Sequence, residues 1–286
     1  MEVKELNSLI RLIDDPDPKV FEVVSNKLLE SGTSIVPLLE KAWEEAINNP
    51  IQGRIENIIQ RIQFNDTAAN FRKWKETGYE DLLLGAFWIA KYQYPDLNWE
   101  DIEIGVNAIK RDVWLEINDN LTALEKVKII NHILFEIHGL TRNSSNFHSP
   151  QNYYINNVLE LKKGNPITLS IIYAAVAQRL GLPIYGINLP KNFILAYQDE
   201  LFIGSKDDEE SILFYINPFN KGTVFGKKEI TYFIQQQKLE DKKSYYVPCS
   251  NLEIIQRLIQ NLIETYENLG YPNKVEDLKN LNKSLE

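Results

Sequence analysis

The stretch Ile167–Leu180 constrains the fold more than any other part of the chain, because it is apolar at nearly every position. Leu169, Ile171, Ile172, Ala174, Ala175, Val176 and Ala177 leave no polar face, and such a helix is stable only when other elements surround it. Its ends are marked as well. Asn165 offers an N-cap side chain and Pro166 the fixed φ of a first helical residue, while Gly181 and Pro183 stop the helix. Directly after it the period shortens from helical to extended. Ile184–Leu189, Phe193–Tyr197, Leu201–Ile203 and Ile212–Ile216 read as strands, separated by Pro190, Gln198–Glu200 and the acidic Asp207–Glu210 loop. One buried helix followed by several short strands predicts an α+β core with a buried helix packed on an antiparallel sheet.

The flanks read as helical. The first 65 residues predict three short helices, the first opened by Asp14–Pro18 and ended by Gly32. The acidic run is a helix start rather than a calcium loop, since it lacks the Gly and later Glu of a full ligand set. Thr33 and Ser34 are expected to cap the next helix, with Ile35, Leu38, Leu39, Ala42 and Trp43 turned inward, and Ile51, Ile55, Ile58, Ile59 and Ile62 mark a third. The spacing resembles a HEAT-type repeat. Residues 66–160 stay largely helical through Leu82–Ala90, Ile102–Leu115 and Leu124–Ile137, and a polar loop follows at Gly139–Gln151. At the far end two apolar stripes, Leu252 to Tyr266 and Val275 to Leu285, flank Gly270 and Pro272 and look like one tetratricopeptide-type pair, which must pack on the core or on a partner. The expected organisation is thus 1–65 helical, 66–248 α+β core and 249–286 helix pair.

Composition narrows the partners. With 31 Lys and Arg against 40 Asp and Glu, the net charge of -9 opposes nucleic-acid binding, and the Arg72-Lys73-Trp74-Lys75 cluster reads as a solvated helix face. The single cysteine, Cys249, allows no internal disulfide, and the apolar stretches fall short of the roughly 20 residues that span a bilayer. A cytoplasmic protein without a membrane segment is expected. No phosphate loop, cysteine pair or dinucleotide fingerprint points to a cofactor, and none is expected. His132, His138 and His148 are too dispersed to predict a metal site.

A set of motifs carries a resemblance. Pro150, Asn152, Tyr153, Asn156, Val158, Leu159, Gly164, Pro166-Ile167 and Leu169, then Arg179–Pro183, Leu189-Pro190-x-x-Phe193 and Pro218-Phe219-Asn220-x-Gly222, are similar to those of the SirB-type transglutaminase-like proteins of bacteria. The resemblance implies a papain-like core whose chemistry runs on a thiolate at the start of the buried helix, an imidazole that activates it and an acid that orients the imidazole. In this chain the three slots hold Ile167, Asn192 and Asn217. An asparagine neither takes up nor releases a proton near neutral pH, so neither amide can act as a general base. The vestigial cleft is expected to comprise Asn165, Pro166, Thr168, Ser170, Asn192 and Asn217, with Asn192 and Asn217 in direct or single-water contact. The implied function is a non-catalytic module that binds another protein or peptide. The alternative is a hydrolase or acyltransferase of peptide-like amides using Thr168, Ser170 or Cys249.

Overall fold

The protein was analysed as a computed structural model that describes residues 3–46, 49–146, 149–202 and 208–285. It comprises two compact units, Met1–Lys73 and Trp74–Glu286.

The first unit is helical: α1 (Val3–Arg11), α2 (Pro18–Glu30), α3 (Val36–Glu45) and most of α4 (Asn49–Glu76). Asp17 caps α2 by accepting from Lys19 N–H, with Pro18 at the first position. Leu6, Leu9, Ile13, Val24, Leu28, Ile35, Leu39, Ile55, Ile58 and Ile62 form its core. Several expectations are corrected here. Thr33 and Ser34 lie in a 3-10 turn, and α3 starts after Ile35 with no side-chain cap. Leu38 and Trp43 are exposed rather than inward, and the Trp43 indole donates to Glu56 Oε1 at 2.9 Å. The third helix is not short. It runs 28 residues, so the expected boundary at 65–66 falls inside α4, because residues 63–71 hold no Gly or Pro to break it.

The second unit opens on α5 (Leu82–Gln93), α6 (Trp99–Glu116) and α7 (Ala123–Asn131). A six-residue π-turn, His132–Ile137, continues α7. Two-residue strands β1 (Thr141–Arg142) and β2 (Lys163–Gly164) pair in parallel around α8 (Ile155–Leu161). Then comes α9 (Pro166–Arg179), in which every residue from Ile167 to Ala177 is buried. It packs against a four-stranded antiparallel sheet in the order β3 (Ile184–Ile187), β4 (Ile194–Gln198), β5 (Ile212–Asn217), β6 (Thr223–Phe225). Helix α10 (Lys227–Gln236) shares a core with this sheet through Ile187, Ile194, Ala196, Tyr215, Ile230 and Ile234. Leu201 and Phe202 form no strand, and Ile203 lies outside the described residues. The three-residue β6 escaped the sequence pattern because so short a strand carries too little alternation to register.

Helices α11 (Asn251–Leu269) and α12 (Pro272–Ser284) complete the same unit rather than a separate one at 249–286. Ile255, Leu258, Ile259 and Leu262 are fully buried, and α11 packs on α5 and α9. Gly270, at φ +76, closes α11. Among the described residues no helix is long and apolar enough to cross a membrane.

Asp81 ties the start of α5 to the end of α9. Its Oδ1 accepts from Leu83 and Leu84 N–H, and its Oδ2 pairs with Arg179 at 3.1 Å. Replacing Asp81 with Ala removes cap and partner together, and a loss of about 1–2 kcal/mol in urea unfolding is expected. A loss below a few tenths would show that the cap is dispensable.

Candidate functional site

The start of α9 is held by a dense set of local bonds. Asn165 Oδ1 accepts from Thr168 N–H at 3.0 Å, and the Thr168 hydroxyl oxygen accepts in turn from Asn165 N–H at 3.2 Å. The same hydroxyl lies 2.8 Å from the Asn152 carbonyl, to which it donates. Asn152 is itself buried, donating to Asn146 O and accepting from Asn143 Nδ2, so the loop before α8 is pinned onto the helix start. Gly164 has no room for a side chain. A Cβ there would lie 2.9 Å from Val158 Cγ1 and 3.0 Å from Thr168 Oγ1.

On the sheet side, Leu189–Asn192 make a tight turn. Pro190 supplies the fixed φ, Lys191 sits at φ +61, and Asn192 N–H closes on Leu189 O at 3.2 Å, as a type II turn requires. Asn192 therefore stands two residues before the start of β4. The Ser170 hydroxyl, fully buried, donates to Phe193 O at 3.4 Å and joins the first turns of α9 to that strand.

Asn165, Pro166, Ile167 and Asn192 thus line one cleft of about 280 Å³. The expected juxtaposition of helix start and second strand is present. Thr168 and Ser170 lie behind the wall, 1% and 0% exposed, with their protons directed at main-chain carbonyls. Asn217 does not line the cleft. It ends β5, whose register with β4 places it at the same end of the sheet as Asn192. No hydrogen bond joins the two amides. Asn192 Oδ1 accepts from Phe193 N–H at 2.9 Å, and Asn217 Oδ1 accepts from Asn220 N–H at 3.3 Å. Each amide holds its own turn, because a short side chain at a turn reaches nearby backbone N–H before it reaches another strand.

Another wall belongs to α11, a helix the motifs did not implicate. Arg257, Asn261, Glu264, Thr265 and Asn268 project from it into the cleft. Their spacing of four, three, one and three residues puts them on one helical face. That polar stripe beside the apolar one was the available signal. Lys191 stands at the mouth, its Nζ 3.0 Å from Gln237 Oε1.

The remaining candidates lie elsewhere. Cys249 N–H donates to Gly186 O at 2.8 Å, and burial pushes the thiol from 9.0 up to about 12, with Glu253 adding to the rise. His132 lies 2.8 Å from Glu136 and His138 2.8 Å from Asp112, while His148 lies outside the described residues. In the basic cluster Trp74 is buried, donating to Asp81 O at 2.9 Å, while Arg72, Lys73 and Lys75 are exposed.

Comparison with known proteins agrees with this architecture. A family model described as the transglutaminase-like superfamily matches residues 100–260, more than half of the chain. A UPF0162 protein of Xylella fastidiosa (strain 9a5c) is 27% identical over 195 residues, which cover 65% of this chain and 65% of the relative. F-box only protein 21 of Mus musculus is 26% identical over 207 residues, covering 65% of this chain and 32% of the relative. This chain thus spans about two thirds of the length of the first relative and about a third of the second. No solved structure matches. Buried helix, antiparallel sheet and the matched residues together place the chain in the transglutaminase-like superfamily.

Proposed function

We propose that this protein is a non-catalytic, transglutaminase-like binding module that holds a segment of another protein in the cleft at the start of α9, with motifs that resemble those of the SirB-type proteins. The observation that carries the reading is the cleft itself. Ile167 and Asn192 line it, and these are the residues that the resemblance to thiol enzymes of this superfamily assigns to the nucleophile and base slots. A general base must exchange a proton with its substrate, and an amide does not. The relocated-hydrolase reading has less support. The Thr168 and Ser170 hydroxyls are committed to carbonyl acceptors behind the cleft wall, and the Cys249 thiol is held protonated at neutral pH. The α11–α12 pair, read as a tetratricopeptide-type hairpin, would form part of the binding surface. The HEAT-like helices and a regulatory role in the cytoplasm belong to the same proposal. A transglutaminase-like stretch also lies within the longer chain of a relative named as an F-box only protein.

The test has two arms. The purified protein is expected to show no amide hydrolysis and no glutamine–lysine cross-linking above the uncatalysed rate. Asn192→Trp, which fills the cleft mouth, is expected to reduce capture of native-lysate partners about tenfold while its thermal unfolding stays within a few degrees of the wild type. Turnover that a thiol-alkylating reagent abolishes would overturn the reading, as would capture indifferent to Asn192→Trp.

A further inference from the structure

Two buried hydrogen-bond donors of this cleft meet no acceptor among the described residues. Asn165 is 2% exposed, its Oδ1 is taken by the helix cap, and its Nδ2 is unpartnered. Arg257, which lines the same cleft from α11, donates from Nη1 to Asn188 Oδ1 at 3.4 Å, and its buried Nε donates to nothing among the described residues. It forms no ion pair among them either. Such donors are seldom left unpaired in a folded protein. Here they sit with the N-terminus of the 14-residue α9, whose dipole favours negative charge.

We infer that the cleft takes a carboxylate of a bound peptide, seated between the Arg257 Nε edge and Asn165 Nδ2 at the start of α9. The inference rests on the reading of this cleft as a protein-binding site. The free side of a guanidinium, Nε with Nη2, matches the paired oxygens of a carboxylate or of a phosphate. Two observations favour the carboxylate. Glu264 lines the same cleft and the chain carries a net charge of -9, which together oppose a dianion. The other lining cation, Lys191, is exposed and already donates to Gln237. The carboxylate can come from a chain terminus or from an Asp or Glu side chain, since both present the same two oxygens.

The test is a titration of the ¹⁵N-labelled full chain, observed at the Arg257 Nε–H and Asn165 Nδ2–H resonances. The probes are N-acetyl-glycyl-leucine, its C-terminal amide, N-acetyl-glutamyl-glycinamide and inorganic phosphate. At least one carboxylate probe is expected to shift both resonances saturably and to bind about tenfold or more tightly than the dipeptide amide. The tighter of the two carboxylate probes identifies the source. Arg257→Gln is expected to weaken that probe about tenfold or more. Asn165→Asp keeps an N-cap oxygen while replacing the donor by a charge, so binding is lost while thermal unfolding shifts by a few degrees at most. Should that variant unfold, Arg257→Gln alone decides. Equal binding of the amide, binding unchanged in Arg257→Gln, phosphate binding more tightly than both carboxylates, or no saturable shift would each overturn the inference. None of those outcomes touches the module reading, which fails on turnover or on partner capture indifferent to Asn192→Trp.

Discussion

At pH 8 the Cys249 thiol of the folded protein is expected to react with iodoacetamide about a thousandfold more slowly than the same cysteine in the urea-unfolded chain. The thiolate is the reactive species, and burial pushes the folded thiol from 9.0 up to about 12. The residue is anchored by its N–H on Gly186 O, so the half-buried side chain stays where desolvation acts. Mass spectrometry of alkylation against time reads the ratio directly. A folded rate within tenfold of the unfolded one would return Cys249 to the set of candidate nucleophiles. The same shift has a consequence for stability. Because the folded pKa lies above the unfolded one, the native state keeps a proton between pH 9 and 12 that the unfolded chain has lost. The contribution of Cys249 is intact below about pH 9 and is lost as pH rises towards 12. Buried tyrosines such as Tyr154 and Tyr173 are also pushed upward by desolvation and act in the same direction. The measurement is therefore a difference, the urea midpoint of wild type minus that of Cys249→Ala across this range, and a flat difference would refute the assignment.

Gly222→Ala is expected to destabilise the second unit by about 3 kcal/mol, the sum of a left-handed backbone cost and a broken, partly buried hydrogen-bond pair. Gly222 has φ +70, and a Cβ there would overlap the Asn131 carboxamide. That carboxamide links distant parts of the core. Its Nδ2 donates to Gly222 O at 2.8 Å, and its Oδ1 accepts from the buried Tyr173 hydroxyl of α9 at 3.1 Å. Displacing it takes that acceptor from the hydroxyl of the fully buried Tyr173. Gly105→Ala is the matched contrast. Gly105 lies inside α6, where a Cβ would meet Leu159 at an ordinary 3.6 Å, so the change is expected to stabilise by about 0.5–1 kcal/mol. Urea unfolding followed by tryptophan fluorescence distinguishes the two, since Trp74, Trp88, Trp99 and Trp114 all lie in this unit. Losses of similar size for both variants would show that Gly222 is not required by its contact with Asn131. The glycine of the Pro218-Phe219-Asn220-x-Gly222 motif thus has a packing reason that does not depend on catalysis.

Local chemistry determined much of the architecture without help from the rest of the chain. Asp17 before Pro18, Asn165 before Pro166 and Gly270 after α11 act within one turn of their own positions, so the backbone obeys them wherever the segment packs. The unbroken apolar run from Ile167 also specified its own surroundings, because a helix with no polar face can only lie inside. That Asn192 cannot serve as a base was legible for a similar reason, since a side chain that cannot titrate remains so in any fold. Tertiary structure decided what depends on neighbours distant in sequence. Leu38 and Trp43 satisfied the helical period yet remained exposed, because periodicity marks a face without saying what covers it. The amides of Asn192 and Asn217 each bonded to their own turns, since backbone donors one and three residues away were already in reach. The wall formed by Arg257, Asn261 and Thr265 came from a helix that begins more than eighty residues after the start of α9. Its polar stripe is visible in the sequence, but only packing of the apolar stripe beside it, through Leu258 and Leu262, brings Arg257 into the same cleft as Asn165. Burial aligned the helix, and that alignment made the cleft.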